Sequence, residues 1–226
     1  MKVNRKLRNI VDITWSSKLA YTIGLIASDG CLSSSTKAIS FVSKDSEMVN
    51  LFLKGTGISK KPYRTGRGGE VEKRYYAAQF KSKQFHSFLQ NIGITPAKSR
   101  TIQAVEIPDI YFSDFFRGLY DGDGTFWTWW DKRWPNSFVF HIEMASASKK
   151  FLEWLQKRLK DLYGTRGHIK KGAGVHLLRF SKGDTRLLTQ LMYQNKGGFY
   201  LPRKYIRIKS ALDLDRKIKQ NTSTPR

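Results

Sequence analysis

The sequence predicts an α+β fold built twice over, two αββαββα repeats related by a pseudo-twofold axis. A seven-residue phrase, Gly24-Leu25-Ile26-Ala27-Ser28-Asp29-Gly30, returns as Gly118-Leu119-Tyr120-Asp121-Gly122-Asp123-Gly124, and repeats of this kind mark internal duplication. After each copy the chain runs through the same order of segments: a strand pair, a helix, another strand pair, a helix and a basic segment. With 226 residues, 40% of them hydrophobic, the chain can bury the core of two packed halves of about 100 residues each.

Ser16 or Ser17 is placed to cap the first helix, and Leu19, Ala20, Ile23, Gly24, Ile26 and Ala27 make it apolar on several faces, so it must be buried. Gly24 and Ser28 lie four apart, as do Gly118 and Gly122, giving each phrase helix a stripe of small residues where another backbone can come close. The two copies are expected to pack on each other, each ending in a glycine-containing turn.

Residues 39–43 read as a strand, after which Asp45 or Ser46 caps a helix to about Lys54. In the second half, residues 138–145 precede Ser148 and a helix carrying Phe151, Leu152, Leu155, Leu159 and Leu162 at helical spacing. Strands at 75–80 and 175–180 lead into helices at 84–91 and 185–193. Finally Pro96-Ala97-Lys98 answers to Pro202-Arg203-Lys204. Pro108 divides the chain into halves 1–107 and 108–226, with Ser113 or Asp114 capping the next helix. No Gly/Ser linker intervenes, as if a homodimer had been fused into one chain.

Forty-one Lys and Arg against 18 Asp and Glu leave a net charge of +23, which calls for a polyanionic partner. No apolar run approaches the ~18 residues of a membrane span, and the polar start Met1-Lys2-Val3-Asn4-Arg5-Lys6 leads into no apolar signal segment. A soluble intracellular protein that binds nucleic acid is expected. The single cysteine, Cys31, excludes an internal disulfide and a cysteine zinc site, and reads as a small buried residue.

Packed phrase helices bring Asp29 and Asp123 side by side. Two close carboxylates repel each other unless a cation lies between them, and oxygen-only ligands suit Mg²⁺, which keeps some waters and takes phosphate oxygens. That arrangement is suited to phosphodiester hydrolysis. A calcium loop opening at Asp121 fails, because Lys132 stands where its glutamate belongs. His86, His141, His168 and His176 show no metal-ligand spacing, and none is assigned to catalysis.

The two phrases resemble the paired motifs of single-chain LAGLIDADG homing endonucleases, over motif positions 22–30 and 116–124. The resemblance implies motif helices at the centre and curved antiparallel sheets forming a DNA-binding saddle. It implies acidic metal ligands at Asp29 and Asp123, with Ser28 and Gly122 as further ligand positions, and catalytic support from Lys98, Lys204 and Lys44. About Ala147 stands opposite Lys44, and Ala27 replaces the acidic residue that Asp121 keeps. It also implies double-strand DNA cleavage at a long asymmetric site with short 3′ overhangs. The cofactor would be Mg²⁺, with Mn²⁺ substituting and Ca²⁺ supporting binding without cleavage. The protein would act as a monomer with no obligate protein partner. The alternatives are a non-cleaving DNA-binding regulator and an RNA maturase on the same scaffold.

Sheets that read a major groove carry polar side chains at every second position. In the first half the rows are Cys31, Ser33, Ser35, Lys37; then Lys61, Tyr63, Thr65, Arg67 beside Arg64; then Lys73, Tyr75, Ala77, Gln79. In the second they are Thr125, Trp127, Trp129, Asp131, Arg133, followed by Arg166, His168, Lys170 and Arg179, with His176 a further candidate. The cluster Trp127, Trp129, Trp130 and Trp134 is expected to pack against a helix rather than touch DNA sugars.

Overall fold

The computed structural model describes residues 11–66, 71–134, 137–195 and 197–223; Arg67 lies outside them. The first half runs α1 (Ser17–Asp29), β1 (Gly30–Leu32), β2 (Ala38–Ser43), α2 (Ser46–Thr56), β3 (Tyr63–Thr65), β4 (Tyr75–Lys81) and α3 (Lys83–Asn91). The second runs α4 (Phe112–Asp123), β5 (Gly124–Trp130), β6 (Phe138–Ser146), α5 (Lys149–Tyr163), β7 (His168–Lys171), β8 (His176–Arg179), α6 (Lys182–Gln194) and α7 (Pro202–Ser223). Each half contributes one antiparallel four-stranded sheet, in the orders β1-β2-β4-β3 and β5-β6-β8-β7. The fold class is therefore the expected one, and the two sheets share a single topology.

Side-chain caps set most helix starts, as the sequence indicates. Ser16 accepts from the Leu19 N–H, Asp45 from Glu47, Ser82 from Phe85, Ser148 from Phe151 and Ser181 from Asp184, each satisfying an N–H that the helix itself leaves unpaired. α4 differs. Neither Ser113 nor Asp114 caps it; the chain enters through a 3₁₀ turn at Asp109–Tyr111. Asp114 sits inside the first turn, where its Oδ1 accepts from Arg117 Nη2 at 2.6 Å. Arg117 is fully buried and also donates to the carbonyls of Phe199 and Met192. A buried guanidinium left unpaired is strongly destabilising, so Asp114 serves the charge rather than the helix end.

The centre of the molecule is the contact between α1 and α4. A Cβ placed on Gly24 would lie 2.2 Å from the Phe115 carbonyl oxygen, and one on Gly118 would lie 2.0 Å from that of Tyr21. A Cβ on Gly122 would fall 1.9 Å from Ser28 Oγ. The small-residue stripe thus does what its spacing implies, bringing two backbones together with no room for a methyl group. On either side of this seam lie aromatic layers, Phe41 against Phe52 at 5.1 Å and Phe126 against Phe140 at 5.8 Å between ring centroids.

The expected glycine turns after the phrases do not form. Gly30 (φ −75°, ψ 152°) and Gly124 (φ −81°, ψ 146°) are extended, and each helix passes straight into a strand. The glycines are required for space: a Cβ would come within 2.7 Å of Ile26 Cα at Gly30 and 2.8 Å of Tyr120 Cα at Gly124. The halves also diverge at their ends, where residues 96–101 form turns and the matching segment opens the long helix α7.

Alanine is favoured over glycine in a helix by about 1 kcal/mol, yet Gly118→Ala should destabilise the protein by about 3 kcal/mol because backbone cannot yield as a side chain can. Urea unfolding of the variant measures the sign directly.

Candidate active site and nucleic-acid interface

Because α1 and α4 pack in register, their last residues meet. Asp29 Oδ2 lies 3.5 Å from where a Cβ on Gly122 would stand. The Asp123 carboxyl is pushed up to about 7, first by burial and then by the charge of Asp29. Solvent does reach both residues, so the burial is one-sided: protein crowds the carboxyl from behind while its outer face is open. The repulsion from Asp29 is the part a cation would relieve. Among the described residues no group of three or more His, Cys, Asp and Glu side chains converges. Two carboxylates at an open helix-end pair fit a hard cation that fills its remaining positions with water and phosphate oxygens.

Lys98 is buried and Lys204 half-buried beside this pair, not spread on the surface. Lys98 Nζ donates to the carbonyls of Ser28 (3.2 Å) and Gly30 (2.7 Å). Lys204 Nζ donates to those of Tyr120 (2.7 Å), Gly122 (3.5 Å) and Gly124 (2.7 Å). Residues 28 and 30 match 122 and 124 in the repeat, so the two ammonium groups hold equivalent helix C-termini, where a cation also opposes the helix dipole. Burial brings Lys204 down to about 8 and lowers Lys98 as well, against the pull of Asp121 and Asp123 respectively. Lys204 commits three donors to carbonyls and Lys98 two, leaving Lys98 the better placed to donate outward. The carbonyls of Ser28 and Gly122, candidate metal ligands, already accept from these lysines.

Asp121 is wholly buried and marks where the halves part company. Its Oδ2 accepts from the Tyr21 hydroxyl at 2.7 Å and from the Leu201 N–H at 2.8 Å, tying α1, α4 and the start of α7 together. Burial raises its carboxyl to about 6, opposed by the Tyr21 hydrogen bond and Lys204. Ninety-four residues away from this pair in the repeat stand Phe115 and Ala27. One half has a hydroxyl with a carboxylate where the other has two apolar groups.

On the first sheet, register places Cys31, Ser40 and Gln79 in one line, Val42, Ala77 and Tyr63 in the next, then Tyr75 with Thr65. All are on the face opposite the core residues Ile39, Phe41, Ala78 and Phe80. Cys31 is exposed there, not buried as expected, because β1 turns it outward. Ser33, Ser35 and Lys37 do not continue a strand. They form a tight turn in which the Ser33 N–H donates to the Ala38 carbonyl and Ser33 Oγ accepts from Thr36 Oγ1. Lys61 and Lys73 flank β3 and β4 as exposed residues. Arg64 has the opposite pleat, its guanidinium 4.5 Å from the Tyr76 ring. Lys44 lies just before α2 with Nζ 5.6 Å from the Tyr75 ring, and it corresponds to Ala147, since Ser43 and Ser146 accept from the following cap residues in the same way.

On the second sheet the outward line is Thr125, Glu143, Arg179 and His168, with Trp127 beside His141, Trp129 beside Val139, and Lys170 beside Leu177. The tryptophans do not pack against a helix. Trp127 and Trp129 are 48% and 43% exposed on this face, Trp129 with its ring edge-on to His141, while Trp130 and Trp134 are exposed beyond it. A long β5 carries them past any helix that would cover them. Arg133 is gripped by Asp131 at the strand end, Arg166 is exposed before β7, and His176 points to the core side. Glu143, absent from the sequence candidates, is central to this face.

Residues 16–93 match the family model of the LAGLIDADG-like domain. No curated protein matches significantly by sequence. Among solved structures, the meganuclease I-SmaMI bound to uncleavable DNA superposes with a TM-score of 0.62 at 12% identity, over 90% of each chain. I-DmoI in complex with DNA and Mn gives 0.50 at 17%, over 78% of this chain and 96% of that one. The N-terminal LAGLIDADG domain of DUF199/WhiA gives 0.52 at 16%, over 82% and 87%. The first half thus carries a LAGLIDADG-like domain, and the whole chain shares the two-repeat fold of LAGLIDADG homing endonucleases. No helix among the described residues is long and apolar enough to cross a membrane.

Tyr21→Phe leaves the buried Asp121 one donor short, and Asp121→Ala strands the Tyr21 hydroxyl; each should cost about 1–3 kcal/mol. The double variant copies the Phe115 and Ala27 pair and should cost less than the sum by about 1 kcal/mol, read from a double-mutant cycle in urea. Mn²⁺ affinity should rise with pH through about 7 and level off above it, because the proton held on Asp123 must leave before a cation binds. Calorimetric titration at several pH values measures this, and a flat profile would place the metal elsewhere.

Proposed function

We propose that the protein is a site-specific endonuclease of the homing type, hydrolysing both strands of a long asymmetric DNA duplex as a monomer and leaving short 3′ overhangs. The single observation that carries this reading is the pair Asp29 and Asp123, kept on both motif helices and held together at their open ends. Loss of either carboxylate would have favoured a non-cleaving binder on the same scaffold, and neither is lost. A divalent cation between them, Mg²⁺ by the chemistry of the oxygen donors, would neutralise the scissile phosphate and lower the pKa of a bound water.

The chain's own residues prepare that place. Asp29 and Asp123 supply the negative charge that holds the cation, and Lys98 and Lys204 satisfy the helix-end carbonyls around it. Lys98, with a donor to spare, is the better candidate to steady a phosphate oxygen or a departing oxygen. Lys44 extends the basic rim on one side only, since Ala147 stands opposite it. The open faces of the two sheets, with Tyr63, Tyr75 and Gln79 on one and Trp127, Trp129, Lys170 and Arg179 on the other, are the surfaces proposed to meet the duplex. A net charge of +23 supplies the sequence-independent attraction to phosphates.

Incubating the protein with a randomised duplex library and Mg²⁺, then sequencing the cleaved products, tests the activity. Mn²⁺ should replace Mg²⁺, and Ca²⁺ should support binding without cleavage. Asp29→Asn and Asp123→Asn should each abolish double-strand cleavage while leaving DNA affinity largely intact; a collapse of binding would mean that the aspartates serve the fold. Affinity should fall about a thousandfold or more between roughly 50 and 200 mM salt. Tight RNA binding with no cleaved duplex from any library would instead identify a maturase.

A further inference from the structure

The best-organised charges away from the aspartate pair are on the open face of the second sheet. Glu143 of β6 stands between Thr125 of β5 and Arg179 of β8, with His168 of β7 beyond. Its side chain is only 9% exposed, and a carboxylate so enclosed requires partners. They converge on one oxygen. Oε2 accepts from Arg179 Nε at 2.9 Å, pairs with Arg179 Nη2 at 2.8 Å and with Lys170 Nζ at 3.1 Å. His141 Nε2 lies 3.9 Å from the same oxygen, beyond hydrogen-bond range.

A guanidinium presents paired donors along two edges, Nε with Nη2 and Nη1 with Nη2. Glu143 takes the first. The second shares Nη2 with the first, but Nη1 makes no hydrogen bond or ion pair among the described residues and Nη2 keeps its other hydrogen, while the Arg179 side chain is 34% exposed on the outward face. That remaining fork has the spacing of O6 and N7 of guanine in a major groove. An arginine already fixed by a carboxylate loses less freedom when it binds, and one carboxylate against two cations leaves the cluster net positive toward DNA. At the equivalent line of the first sheet stand Cys31, Ser40 and Gln79, with no charge among them.

We propose that Glu143 is a positioning residue that presents Arg179 end-on to a guanine of a duplex lying on the second sheet. The proposal rests on the duplex-DNA reading above and names one determinant of its specificity. Recovering bound rather than cleaved sequences from a randomised duplex library tests it, with the wild type, Arg179→Ala, Arg179→Lys and Glu143→Gln compared. The wild type should show one base pair at which guanine is favoured roughly 10- to 100-fold. Arg179→Ala and Arg179→Lys should lose that preference at that pair alone, and the lysine variant, which keeps the charge but not the fork, should retain overall affinity. Glu143→Gln should weaken the same preference several-fold without altering the others; if it fails to fold, the lysine variant carries the test. The proposal is overturned if Arg179→Ala weakens all sequences equally, if Glu143→Gln merely raises affinity uniformly, or if the wild type selects no such guanine. Since recovery depends on binding alone, a protein that selects duplexes yet cuts none would refute the nuclease reading and leave this one standing.

Discussion

Two glycines, Gly24 and Gly118, allow the backbones of α1 and α4 to touch, and most of the molecule depends on that contact. Each would drive a Cβ to within about 2 Å of a carbonyl oxygen on the other helix. With the axes so close, the helix C-termini coincide and their aspartates become neighbours. Negative charge from two carboxylates and from the unpaired carbonyls of two helices then collects in one place. Lys98 and Lys204 answer the carbonyls, one from each half.

The duplication is strict where geometry is at stake and loose elsewhere. Both halves keep the glycines, the aspartates, the lysines and the strand order β1-β2-β4-β3. They differ in what surrounds these. Asp121 and Tyr21 form a buried polar bond that Ala27 and Phe115 lack, Arg117 is held by Asp114 with no counterpart in the first half, and α7 replaces a short turn. The first of these differences crosses the seam itself, from α1 to α4, so the two sides of the helix contact share their backbone geometry without sharing their side-chain chemistry.

Much of this could be read from the sequence because the signals were repeated. The phrase spacing exposed the seam, the serine and aspartate caps marked helix starts, and alternation placed Tyr75, Ala77 and Gln79 on one face correctly. Where sequence and structure differ, a side-chain hydrogen bond has overridden the periodic pattern. Alternation through Ser33, Ser35 and Lys37 looked like strand, but side-chain bonds among Ser33, Ser35 and Thr36 close a turn there. Asp114 has the residue type of a cap, but the buried charge of Arg117 one turn along the same helix claims it. The matched Pro-x-Lys segments pick out Lys98 and Lys204 but not the inward turn of their ammonium groups onto helix-end carbonyls, and nothing adjacent to Glu143 announces that Arg179, 36 residues on, is its partner.

The direct passage of each motif helix into its sheet, with no loop at Gly30 or Gly124, makes the two sheets arms of one stiff bracket. Their separation is fixed by the helix contact and not by what they hold. A duplex gripped by both arms would therefore have to adopt the curvature the bracket dictates, and the base pairs spanning the gap would be selected by how cheaply they deform, without any side chain reaching them.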